Sequence, residues 1–316
     1  MELHTMEMEN SKRIYDFSLG VSLGIFPTEE IFSACALAGV RFIELSPRDG
    51  EYEMFFENAA RIRKMAEDTG LTLRSLHLPF GTRINFCAPD PLDLSETMRM
   101  EKEMVHGAAA LGVKYVIAHG GIPYPQTERK KYLEIARENI AELQKEASAL
   151  GIHVCVESLL PSCIGRNSRE LLYILSAHPD LRVCLDPNHL FDEDHVALIR
   201  AVGKKIAAVH FSDYDGLDER HWMPGEGIIN WSAIVAALSE VGYKGPLLYE
   251  VNPFRTPKSI DRRALTFEDF RENHAALCRG EIPAPIGKPI EEECRACVFA
   301  ERFLKNFGLK YEPEKI

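Results

Sequence analysis

Eight short apolar runs alternate with amphipathic, helix-length stretches along this chain, and that alternation limits the available folds more than any other feature. The runs are DFSLGVSL (16–23), RFIELS (41–46), LRSLHLPF (73–80), KYVIAHG (114–120), HVCVESL (153–159), RVCLDP (182–187), IAAVHFSD (206–213) and PLLYEVN (246–252). Short, continuous apolar strands separated by helices belong to parallel sheets covered on both faces. Glycines at positions 39, 70, 112, 151, 203 and 242 fall where the helical patterns end, as C-terminal caps do. Eight such units are the number that closes a barrel. The rival, an open doubly wound sheet, lacks its glycine-rich fingerprint after the first strand. The expected fold is therefore α/β, a single (β/α)8 barrel with an elaborated C-terminal segment. A length of 316 residues suits a barrel of roughly 250 residues plus insertions. The expected boundaries are a polar N-terminal tail (1–15), a barrel over 16–307 with an insertion at about 253–289, and a C-terminal tail (308–316). The stretch 85–97, NFCAPDPLDLSET, reads as a long loop able to cover one side of the barrel mouth.

Several of the runs end on a side chain able to bind a metal ion. Glu157 closes HVCVE, Asp186 and His189 follow RVCL, His210 and Asp213 follow AAV, and Glu250 follows PLLY. Charged groups are seldom fully buried unless they are paired or ligate a metal. One carboxylate at a barrel rim is most simply a salt-bridge partner, but four donors at successive strand ends point to a shared centre. Barrel active sites form at this C-terminal end of the strands. Three oxygens and an imidazole from Glu157, Asp186, His210 and Glu250 suit a hard or borderline divalent ion: Mn²⁺ first, with Mg²⁺, Co²⁺ or Zn²⁺ also compatible. His77 in SLHLPF and His119 in IAHGG occupy equivalent strand ends. They bind either backbone, substrate oxygens or a second metal. His189 lies just beyond the sixth strand, within reach of substrate or a second ion. The loop ERHWMPGEGIINW brings Glu219, Arg220 and His221 near His210; Arg220 is either a solvated base or a cation for an anionic substrate group. Glu44 is left between two partners, the same cavity or Arg48.

Composition narrows the partners. The net charge is −11, from 48 acids and 37 bases, which disfavours nucleic acid because phosphate binding needs a basic face. No apolar stretch nears the roughly 20 residues of a membrane span, and MELHTMEMENSKR lacks a signal-peptide core, so a cytoplasmic protein is expected. Eight scattered cysteines are expected to be reduced. The close pair Cys294 and Cys297, in a helical pattern spanning about 290–307, fits packing on one helix face better than a zinc site.

Seven segments, SLHLPF, IAHGG, VCVES, LDPNHLF, VHFSD, ERHWMPGEGIINW and LLYEV, lie between residues 75 and 251. By them the chain resembles, over roughly residues 16–252, the xylose isomerase-like TIM barrels, the superfamily of sugar (phosphate) isomerases and epimerases and of endonuclease IV. The resemblance implies that Glu157, Asp186, His210 and Glu250 are the metal ligands. It also implies that Glu157 and Glu250 move the substrate proton, through a metal-stabilised enediolate, in a sugar or sugar-phosphate isomerase or epimerase. His77, His119, His189, His221 and Arg220 then contact a small carbohydrate substrate, and a homo-oligomer is compatible with the family. The endonuclease branch, a zinc phosphodiesterase acting on abasic DNA, implies a different use of the same positions. There His77, His119, Glu157, Asp186, His189, His210, His221 and Glu250 match its ligands, whereas Glu219 stands where that branch has aspartate. Related dehydratases and lyases use similar sites.

Overall fold

A computed structural model describes residues 14–122 and 126–290. The eight expected strands are present: β1 (Leu19–Leu23), β2 (Phe42–Leu45), β3 (Thr72–His77), β4 (Tyr115–Ala118), β5 (His153–Glu157), β6 (Arg182–Leu185), β7 (Ile206–Val209) and β8 (Leu247–Tyr249). They form one parallel sheet in cyclic order, with β8 beside β1. Past the end of β7, Phe211 closes the circle: its amide donates to Leu248 O at 2.7 Å, and Glu250 N donates back to Phe211 O at 3.2 Å. The chain is a (β/α)8 barrel.

Helices pack outside it: α1 (Glu29–Leu37), α2 (Tyr52–Glu57), α3 (Ala59–Thr69), α4 (Pro91–Leu111), α5 (Arg129–Ala149), α6 (Ser168–Leu175), α7 (His195–Val202), α8 (Trp231–Glu240) and α9 (Phe267–Cys278). Side chains cap their starts: Thr28, Asp90, Asn167, Asp194 and Asn230 each accept a backbone N–H of the first turn, worth about 1 kcal/mol apiece. Gly70 and Gly112 end α3 and α4 in the left-handed conformation, which a Cβ disfavours. The expected loop 85–97 is shorter than its composition suggests. Asp90 and Pro91 form an N-cap and first helical residue, so α4 begins at Pro91. Residues 85–88 are buried, and Asn85 Oδ1 accepts the Ile122 amide at 3.4 Å.

Within 253–289, α9 lies against the barrel wall. Phe270 and Leu277 are fully buried, Tyr249 donates to Asn273 Oδ1 at 2.8 Å, and the Tyr249 and Phe270 rings meet edge to face. A two-stranded antiparallel ladder, β9 (Ile260–Asp261) with β10 (Lys288–Pro289), flanks it. Cys35, Cys155, Cys163 and Cys184 are free thiols. Burial pushes the Cys155 thiol up to about 12, so it packs as a small apolar group. Cys294, Cys297 and the helix expected over 290–307 lie outside the described residues.

The barrel interior explains the placement of the strand-end residues. Ile117, Cys155, Cys184 and Ala208, one each from β4 to β7, form a small buried cluster separate from the core under the helices. Side chains alternate faces along a strand, so the inward residues two positions further on are His119, Glu157, Asp186 and His210. A compact apolar plug thus supports a layer of donors at the C-terminal mouth.

Candidate metal centre at the barrel mouth

Glu157 is at the middle of this layer. Its Oε1 lies 3.1 Å from His210 Nδ1 and 3.6 Å from His189 Nδ1. Its Oε2 lies 3.0 Å from His119 Nε2 and 3.3 Å from His77 Nε2, neither aligned as a hydrogen bond. Asp186 Oδ2 is 3.2 Å from His189 Nδ1, and Glu250 Oε2 is 3.5 Å from His210 Nδ1. Glu157, Asp186, His210 and Glu250 each offer an atom within 4.8 Å of the others. Three buried oxygens, Glu157 Oε2, Asp186 Oδ2 and Glu250 Oε2, accept no hydrogen bond. Buried polar atoms are almost always satisfied, so three orphaned carboxylate oxygens converging with imidazole nitrogens fit a bound cation. Of the donors expected from the sequence, His77, His119, Glu157, His189, His221 and Glu250 line one cavity of about 440 Å³ with Glu219.

The electrostatics separate the two central carboxyls. Burial alone would push Glu157 up, but the imidazoles of His210 and His119 outweigh it and hold the carboxyl well below the usual range. Burial pushes Asp186 up, against the attraction of His189. The two histidines sharing Glu157 Oε2 also diverge: burial lowers His119, whereas in His77 Glu157 overcomes burial and lifts the imidazole to about 9.

Surrounding groups orient the donors. His77 Nδ1 lies 2.8 Å from Leu78 O, so its N–H donates there and Nε2 faces Glu157. His210 Nε2 is hydrogen-bonded to Glu44 Oε2 at 3.2 Å, which keeps that nitrogen as the donor and leaves Nδ1 for the centre, the arrangement found behind metal-bound histidines. Glu44, fully buried, also accepts from Ser75 Oγ at 2.7 Å; its partner is the cavity layer and not Arg48. Ser158 Oγ bonds both the amide and carbonyl of Asp186, and Ser158 O accepts from His189 Nδ1. Sequence reasoning missed Ser158 and Asn188. The Asn188 side-chain oxygen accepts the Arg220 amide at 3.0 Å and holds the loop on which His221 adopts φ 49°. Positive φ at a non-glycine residue stores backbone strain, a feature concentrated at functional sites.

Two expected residues stand elsewhere. Arg220 is not among the lining of that cavity: its Nε donates to Asp215 Oδ2 at 2.7 Å, and it lines an adjoining cavity with His221, Glu250, Asn252 and Arg255. Asp213 points outside the barrel, because it is an odd number of residues from inward-facing His210. There it accepts N–H bonds from Tyr214, Gly225, Ile229 and the Trp231 indole. It therefore anchors the loop that carries Glu219 and His221. Asp213→Ala should strip four donors of a charged acceptor and cost about 3 kcal/mol; urea unfolding of the variant checks this, and an unchanged midpoint would contradict the anchoring role.

Glu219 reaches the site despite its longer side chain. Its Oε2 is 3.1 Å from His189 Nε2, and His189, Glu219 and His221 form a second compact donor group beside the first. The hydrogen bond and charge of His189 overcome burial and lower Glu219 to about 2.

Comparisons with known proteins agree with this architecture. A D-psicose 3-epimerase of Ruminiclostridium cellulolyticum is 25% identical over 200 residues, 60% of this chain and 66% of the relative. Fructoselysine 3-epimerase of Escherichia coli O157:H7 is 28% identical over 182 residues, 55% of this chain and 63% of the relative. Among solved structures, an L-ribulose 3-epimerase superposes with a TM-score of 0.66 at 17% identity, covering 94% of this chain and all of that one; at such identity the likeness is one of fold. The family model described as xylose isomerase-like TIM barrel matches residues 32–269, and the chain belongs to that family.

Proposed function

We propose that the protein is a divalent-metal-dependent sugar isomerase or epimerase. The observation that supports this reading best is the convergence of Glu157, Asp186, His210 and Glu250, with three buried carboxylate oxygens that nothing in the protein satisfies. These four side chains would hold the ion, with Mn²⁺ favoured by the mix of three oxygens and one imidazole. When bound, the cation supplies the positive charge that makes proton removal next to a carbonyl affordable in a water-poor pocket. The remaining work falls to the chain. Glu157 and Glu250 both reach His210 Nδ1, at 3.1 and 3.5 Å, and in this reading one carboxylate removes the proton at the carbon beside the carbonyl and the other returns it. His77, His119, His189 and His221 face the cavity and bind substrate oxygens, and donors already fixed by backbone partners need little reorganisation. Arg220, held by Asp215, contributes to the adjoining cavity.

The test has two parts. After chelation, adding Mn²⁺ should raise the wild-type melting temperature by several degrees, since a ligand at 100 times its Kd adds about 2.7 kcal/mol to the native state. With Mn²⁺, a panel of ketoses should show deuterium exchange from solvent at the carbon beside the carbonyl. Melting indifferent to every divalent ion would sink the metal reading, and absent exchange would sink the proton-transfer reading.

The second donor group, His189, Glu219 and His221, favours one alternative: a multinuclear zinc phosphodiesterase of the endonuclease IV type. That reading requires about three zinc ions per chain; a single exchangeable ion by metal analysis excludes it. The net charge of −11 weighs against a DNA substrate.

A further inference from the structure

The lining of the 440 Å³ cavity divides into two chemically different sets of residues. One is the carboxylates and imidazoles described above. The other is mainly apolar, Phe80, Ile84, Ile122, Leu159 and Leu160 with the Cys163 thiol, and includes the hydroxyls of Ser46, Thr82 and Ser162. Phe80 is 52% exposed, and its ring stacks on His119 at 3.9 Å between centroids with the planes 24° apart. One face of that ring closes over a site imidazole and the rest of its surface stays open. A cavity of this size falls within the range of about 300–1,000 Å³ that takes drug-sized ligands.

A free ketose is a poor match for such a space. Its hydroxyls are spread round the whole molecule, and those facing the aliphatic wall would lose water without gaining partners, a cost that accrues for each unpaired group. A phosphorylated sugar end fits the wall no better. Among the described lining residues there is no lysine or arginine; Arg220 and Arg255 line the adjoining cavity, on the side of His221 and Glu250.

We propose that the aliphatic end, with Phe80 as its shelf, receives an apolar substituent carried by the sugar. The substrate class is then a sugar conjugate with an uncharged apolar group, rather than a free or phosphorylated ketose. This rests on the reading of the carboxylate–imidazole end as the sugar site. The sugar would lie among the histidines and glutamates, and the substituent would leave the polar layer past His119 and lie against Phe80 and Leu160.

The test is a comparison of affinities on the Mn²⁺-loaded full chain by titration calorimetry, using methyl and phenyl glycosides of one hexose together with that hexose 6-phosphate. Burial of the ring against the wall predicts that the phenyl glycoside binds at least about tenfold tighter than the methyl glycoside. Phe80→Ala and Leu160→Asn should each pull that ratio toward unity. The readout is a ratio, so a general loss of folding or of metal moves both glycosides equally and leaves it unchanged. Equal affinity for the two glycosides in the wild type, a ratio that survives both substitutions, or tighter binding of the phosphate would each overturn the proposal. These outcomes are independent of solvent deuterium exchange. Exchange with free ketoses and a flat glycoside ratio would retain the isomerase reading and discard the apolar subsite, whereas a steep ratio without exchange would do the reverse.

Discussion

Glu250→Gln should retain its fold and lose turnover by a factor of about 10²–10⁴, the usual contribution of a positioned acid or base. The substitution preserves shape and removes the one property the site needs from this side chain, a negative charge able to meet a cation or take a proton. Glu250 Oε2 has no hydrogen-bond partner to lose, so little of the native structure depends on it. The melting-temperature gain on adding Mn²⁺ should largely disappear in this variant. Glu219→Gln is the control: if one ion binds at Glu157, Asp186, His210 and Glu250, most of the gain persists. Deuterium exchange at the wild-type rate in Glu250→Gln would remove this residue from the proton-transfer role, even if metal binding remained.

Glu170→Ala should destabilise the protein by about 3–5 kcal/mol, the penalty for stranding a buried charge. Arg129 and Glu170 are both buried and joined by two bonds, Nε to Oε1 at 2.5 Å and NH2 to Oε2 at 2.8 Å. Arg129 also donates to the carbonyls of Pro161 and Cys163, while Glu170 accepts the amide of Gly165 at 3.0 Å. The pair therefore pins the loop that follows β5 and carries Leu160 and Cys163 to the cavity. Burial would raise the Glu170 carboxyl, but the Arg129 hydrogen bonds and charge hold it below its ordinary value. A depressed folded-state pKa contributes stability that is complete above the unfolded value of about 4.3 and fades as pH falls through the folded value. The gap between wild type and Glu170→Ala in urea should accordingly be widest near neutrality and narrow in acid. Arg129→Met combined with Glu170→Leu should recover much of the loss, because neither charge is then left alone. A gap independent of pH would assign the effect to packing.

Most of the architecture was legible because two periodicities run through the chain. Alternating apolar runs and helical stretches marked the eight βα units, and the residues ending the runs marked the mouth. The helix start at Pro91 was equally written in the Asp-Pro pair, but the acidic and proline-rich composition around it resembled a loop. Asp213 was grouped with His210 by proximity, although counting along the strand already assigns the two to opposite faces. Glu44 carried the right chemistry on an inward strand position, and only the folded barrel chooses between its partners: His210 arrives from β7, 166 residues away in sequence.

The amino-acid sequence by itself determined that donors would collect at one end of a parallel barrel, since strand period and strand polarity are local properties. Which donors meet was decided by the closed barrel. Closure through Phe211 and Leu248 brings β8 beside β7 and sets Glu250 3.5 Å from His210. The tertiary structure also turned Arg220 toward Asp215 and joined an aliphatic wall to the charged centre. Those outcomes depend on distances between residues far apart in the chain, which no spacing along it encodes.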